Sequence, residues 1–96
     1  MNLNWKSFFP VNPVTVTVVP ETATVAAGDS EQLTSTVSNT TDASVTWTSS
    51  DETIATVDGT GLVTVPAEAT GGGTVTITAT SVEDISKSAT ATITVV

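Results

Sequence analysis

The sequence predicts an all-β fold, an antiparallel β-sandwich of about seven strands led by an extended N-terminal arm. Three observations predict it. Threonine is the commonest residue and valine the next, while Leu, Lys, Arg, Met and Gln, the usual helix fillers, are scarce. β-branched side chains fit a pleated, half-buried surface and lose freedom in a helix. Apolar residues also alternate with threonine at period two, as in Thr-Val-Thr-Ile-Thr-Ala-Thr over 74–80. That pattern gives a strand one buried face and one wet face. Finally, clusters of Gly, Pro, Asn, Asp and Ser punctuate the alternating runs as turns do.

Taken in order, Val14 to Val19 alternates Val and Thr and stops at Pro20. Thr22 to Val25 reads as a second piece of the same edge, closed by Ala27-Gly28-Asp29. Gln32 to Val37 places Leu33 and Val37 on one face and Thr34 and Thr36 on the other. Asn39 to Asp42 is a turn. Ser44 to Ser49 carries Val45 and Trp47 inward, and Ser50-Asp51-Glu52 makes the next corner. Thr53 to Val57 is short and pairs as a hairpin with Leu62 to Val65 across a turn holding Gly59 and Gly61, which suit positive φ. Pro66 to Gly73 is a connection rich in Ala and Gly. Thr74 to Thr80 and Ser88 to Val95 alternate cleanly around an acidic turn over Ser81 to Lys87. The expected core is Leu33, Val37, Val45, Trp47, Ile54, Val57, Val63, Val75, Ile77 and Ile93. A single Trp in a central strand favours a sandwich over a closed barrel. The first and last strands are expected to leave open edges.

The 96 residues suit one domain: an arm over 1–13 and a sandwich over 14–96. Ten acidic residues against two basic ones give a net charge of −8. Such a surface repels phosphate backbones and anionic lipid, so neither nucleic acid nor membrane insertion is expected. No Cys and no His occur. Disulfides, thiol catalysis, Cys/His zinc sites and imidazole acid–base chemistry are thereby excluded. Met1 to Phe9 lacks the apolar stretch and cleavage site of a secretory signal, so the chain is either not exported as written or a piece of a longer one.

Several runs carry a resemblance: Val-Pro-Glu-Thr-Ala-Thr-Val (19–25), Ala-Gly-Asp-Ser-Glu-Gln-Leu-Thr (27–34) and Val-Thr-Trp-Thr-Ser-Ser-Asp (45–51). Ile-Ala-Thr-Val-Asp (54–58), Gly-Leu-Val-Thr (61–64) and the run over 74–80 extend it. Over roughly its whole length beyond the arm the chain resembles the bacterial immunoglobulin-like domains of group 2, found in intimin- and invasin-type adhesins and in many phage virion proteins. The resemblance implies an immunoglobulin-like sandwich. It carries over no catalytic or binding residue, because the matching positions are core and turn positions. It implies that Trp47 fills the gap between the sheets and that Gly61 takes a conformation closed to other residues.

Chemistry candidates are few. Asp51-Glu52 and Glu83-Asp84 are acidic pairs and Asp58 stands alone. A calcium site needs several converging oxygens, and a glycosidase needs two carboxylates across a cleft. Adjacent acids have neither spacing, so these read as solvated turns and no metal or cofactor is expected. No base is present to activate a Ser or Thr. Gly71-Gly72-Gly73 lacks the Lys-Ser/Thr of a phosphate loop. Asn39-Thr40-Thr41 matches a glycosylation sequon and reads as a turn.

The arm is the feature that a plain sandwich does not require. Trp5, Phe8 and Phe9 are three of the chain's four aromatics, Lys6 sits among them, and Pro10 and Pro13 favour extended backbone. Aromatics outside a core tend to be anchors of protein contacts. Docking onto a partner protein makes Trp5, Lys6, Phe8, Phe9 and Pro10 the candidate partner-binding residues; the alternatives are an arm folded back over the domain's own sheet edge and a cut boundary. The leading expectation is a non-enzymatic phage virion accessory protein. Its arm clips to a capsid or tail surface, and its head reinforces the shell or adheres weakly to cell-surface glycan, with self-association into a homo-oligomer open. Two others compete: a bacterial cell-surface adhesin module acting as spacer or receptor-binding unit, and an accessory domain of a carbohydrate enzyme.

Overall fold

The computed structural model describes residues 13–69 and 71–96. Trp5, Lys6, Phe8, Phe9 and Pro10 lie outside the described residues. Every regular element described is a strand: β1 (Thr15–Val19), β2 (Thr22–Val25), β3 (Ser30–Gln32), β4 (Thr34–Ser38), β5 (Val45–Ser49), β6 (Thr56–Val57), β7 (Leu62–Thr64), β8 (Thr74–Ser81) and β9 (Ser88–Val95). One layer joins the β1-β4 ribbon to a β3-β7-β6 sheet, because only Leu33 separates β3 from β4. The other layer is a four-stranded sheet in the order β2-β9-β8-β5. The chain is thus an immunoglobulin-like sandwich.

Alternation places the core between the layers. Val75, Ile77, Ala79, Ala91, Ile93 and Val95 line the inner face of the four-stranded sheet, and Val18, Leu33, Val63 and Val65 line the face opposite. A buried Val, Leu or Ile side chain contributes about 1.5–3 kcal/mol. Of the ten expected core residues, Leu33, Val63, Val75, Ile77 and Ile93 are fully buried. Val45, Trp47, Ile54 and Val57 are half-buried and pack against that cluster. Val37 is a correction: it is half-buried opposite Val16 near the end of the β1-β4 ribbon and stands apart from the central cluster. β7 pairs with β3 over Ser30–Gln32, whereas Val37 lies on β4, whose paired strand is β1.

Three further differences have physical causes. Thr22–Val25 does not continue the edge of β1; it crosses to the other layer and pairs parallel with β9. Pro20 has no N–H for the first ladder, so the chain is free to change sheets there. The expected strand over Gln32–Val37 divides at Leu33, which turns fully into the core while its N–H donates to the Gly61 carbonyl at 2.9 Å. The last strand is not an open edge, because β9 lies between β2 and β8. The edges of the larger sheet are β2 and β5.

Candidate functional site

The residues that hold the sheets in register also define what each surface offers. Trp47 projects inward from β5 and reaches across to the turn before β7. A Cβ placed on Gly61 would lie 2.8 Å from its indole ring and 2.7 Å from the Leu33 carbonyl oxygen. Gly61 has φ of 88°, in the left-handed region open chiefly to glycine. Indole and glycine thus form one contact that bridges the layers.

The acidic residues are occupied in turns. Asp42, Asp51, Asp58 and Asp84 each precede a Ser or Thr by two positions and accept from it. Asp58 accepts from the Thr60 N–H at 2.8 Å, the Thr60 hydroxyl at 2.6 Å and the Leu62 N–H at 3.1 Å. Asp51 accepts from the N–H and hydroxyl of Thr53, and Asp84 from those of Ser86. Glu83 reaches to the loop after β4, accepting from the Thr41 hydroxyl at 2.6 Å and the Asp42 N–H at 3.0 Å. These are Asx turns and their relatives. The repeated Asp-x-Ser/Thr spacing in the sequence was the signal for them. Among the described residues no three acidic groups converge as a metal cage would require.

Hydroxyl donors, then backbone N–H donors, hold the carboxyls of Asp42, Asp51, Asp58 and Asp84 below the ordinary aspartate value of 3.8. The Thr41 hydroxyl does the same for Glu83, against an ordinary 4.5. The folded chain therefore releases these protons more readily than the unfolded chain. Stability from the turns is complete above the unfolded values and is lost as pH falls below them, through the depressed folded values. Thermal unfolding followed by circular dichroism is expected to show a midpoint that drops from about pH 5 to about pH 3. A midpoint that holds or rises across that window would mean that the caps are energetically idle.

One end of the sandwich gathers the base of the arm and two loops. The Asn39 side-chain amide donates to the Pro13 carbonyl at 3.1 Å. The loop between β4 and β5 and the turn between β8 and β9 meet there through Glu83. On that turn Ile85 is 81 % exposed, an apolar side chain held outward by a hydrogen-bonded frame. The carboxyl-terminal Val96 lies at the opposite end, its N–H donating to the Val25 carbonyl.

The outer face of the four-stranded sheet carries threonine throughout. Thr22 and Thr24 of β2, Thr46 and Thr48 of β5, Thr74, Thr76, Thr78 and Thr80 of β8, and Thr90, Thr92 and Thr94 of β9 stand in cross-strand rows, completed by Ser88. The face holds hydroxyls and methyls and no charge. Two open grooves flank the sandwich. One of about 510 Å³ runs along Val16–Val19 with Glu21, Ala89 and Thr90. The other, of about 490 Å³, is lined by Thr53, Ile54, Glu68, Ala69 and Gly71–Gly73. Each lining holds a single carboxylate, Glu21 in the first and Glu68 in the second, and no other titratable side chain.

A model of the family described as bacterial Ig-like domain (group 2) matches residues 12–95. No curated protein matches the chain.

Proposed function

The chain belongs to the group 2 bacterial Ig-like domains, and from that premise we propose that it is a display module of a phage particle, fixed to a protein surface by residues 1–13. Domains of this family are typically non-enzymatic and serve structural or adhesion-type roles. The observation that carries the finer reading is the layout of the two ends. The base of the arm sits at the end that carries Asn39 and the exposed Ile85, Val96 lies at the other end, and the threonine face runs along the side of the sandwich. A sandwich tethered there stands off its support and turns an uncharged hydroxyl surface to its surroundings. That surface suits shell reinforcement or weak, multivalent contact with glycan. The support is read as a capsid or tail protein and the location as the virion surface.

Co-sedimentation with purified particles tests this reading, comparing the parent chain with the Trp5→Ala/Phe8→Ala/Phe9→Ala variant. The parent is expected to pellet and the variant, still folded by circular dichroism, to stay in solution. Equal behaviour of the two would remove the arm as anchor. Binding to whole bacteria in place of particles would favour the cell-surface adhesin module.

A further inference from the structure

The backbone of β5 has one satisfied side. Val82 N–H donates to Ser44 C=O and Ser50 N–H to Thr76 C=O, which makes 44/82 and 50/76 hydrogen-bonded pairs with β8. In an antiparallel ladder such pairs alternate. Thr46 and Thr48 therefore face β8, and the N–H and C=O groups of Val45, Trp47 and Ser49 point away from it. Among the described residues no strand lies on that side. Exposed edges in proteins are commonly guarded by Lys, Pro or a bulge. Val-Thr-Trp-Thr-Ser carries none of these. Acids stand at both ends instead: Asp42 and Glu83 before the strand, Asp51 and Glu52 after it. Pairing two β5 strands antiparallel would bring those acids together, so a second β5 is a poor occupant.

Residues 1–12 have the complementary character. They hold one Lys and no carboxylate. Trp5-Lys6-Ser7-Phe8-Phe9 matches β5 in length, and Pro10, lacking an N–H, ends the stretch. Laid antiparallel with Phe9 opposite Val45 and Trp5 opposite Ser49, the segment sets Phe9, Ser7 and Trp5 on the inner side beside half-buried Trp47. Lys6 then lies between the acidic ends. Residues 5–9 stand four to eight positions from Pro13, a contour of at most about 14–29 Å, which is long enough to meet an adjacent copy.

We propose that the acceptor for residues 5–9 is the β5 edge of a second copy of this chain, joined by antiparallel strand addition. The proposal rests on the reading that the arm docks on protein, and it names that protein. Copies linked this way join two different surfaces, the arm of one chain and the edge of another.

The chain has no cysteine, so engineered thiols report cleanly. In the proposed register Phe8 and Thr46 form a non-hydrogen-bonded pair, whose short separation suits a disulfide. Chains carrying Phe8→Cys are mixed with chains carrying Thr46→Cys and oxidised mildly. The mixed disulfide dimer, identified by mass, is expected at about tenfold over a mixture of Phe8→Cys with Thr24→Cys, whose thiol sits on the opposite edge, as a raised effective concentration requires. If the Phe8→Cys/Thr46→Cys double variant instead closes on itself and mixtures give nothing, the arm caps its own edge and the second-copy proposal falls. If no bond forms while the parent still pellets with particles through its aromatics, β5 is not the acceptor and the anchoring reading survives. If neither occurs, both are wrong.

Discussion

Replacing Trp47 with alanine is expected to lower the unfolding free energy by about 3 kcal/mol, the lower part of the range for Trp→Ala because the side chain is half-buried. The ring is the widest side chain between the layers. It starts on β5 and ends over Gly61, so its loss empties a space that neither sheet can close without shifting the turn before β7. Gly61 cannot fill the gap, having no side chain. The Leu33 N–H bond to the Gly61 carbonyl ties that turn to the point where the chain passes from β3 to β4. Loosening the turn therefore also loosens the junction of the smaller layer. A domain of this size has a net stability of about 5–15 kcal/mol, so the loss is a large share. Urea unfolding should give an earlier midpoint with an unchanged slope. Trp47→Phe should recover part of the loss. A change below about 1 kcal/mol for the alanine variant would place the indole outside the load path, as a surface side chain.

The extent to which the sequence disclosed this fold follows from how local each signal is. Period-two alternation is a property of consecutive residues, so β8 and β9 were legible to within a residue, with Val75, Ile77 and Ile93 inward. Gly61 was legible because a positive φ demands a residue type. Sheet membership is not local. Thr22–Val25 has the same pattern whichever layer it joins, and its pairing partner, β9, lies some seventy positions along the chain. The open edge was misassigned for the same reason: nothing inside Ser88–Val95 says that β2 will cover it. The surroundings of Val37 depended on which strand β4 pairs with, again a remote fact. The acids were legible as turn residues, and their Asp-x-Ser/Thr spacing gives the mechanism as well. The unpaired side of β5 could not be read, since an edge is defined by what is missing beside it. The arm's candidate residues rest on composition alone.

Gly61→Ala is expected to cost about 2–5 kcal/mol, from two separable sources. A left-handed φ costs a non-glycine residue about 1–2 kcal/mol. Overpacking adds about 1–3 kcal/mol, because the new Cβ would sit 2.7 Å from a backbone oxygen and 2.8 Å from the indole. Neither neighbour is a flexible tip. The oxygen belongs to Leu33, which is fixed in the core, and the ring is held by both layers. Two variants separate the terms. Gly61→Asn relieves much of the φ penalty, as Asn39 at φ of 63° does in this same chain, but keeps the overlap. It should therefore remain destabilised by more than 1 kcal/mol, on the scale of an overpacked site. Trp47→Ala with Gly61→Ala removes the overlap with the ring, so the pair should fall short of additivity by about 1 kcal/mol. The residual cost in that double variant isolates the backbone term and the Leu33 oxygen. Strict additivity would instead mean that glycine is required there for its φ alone, with the ring free to move aside.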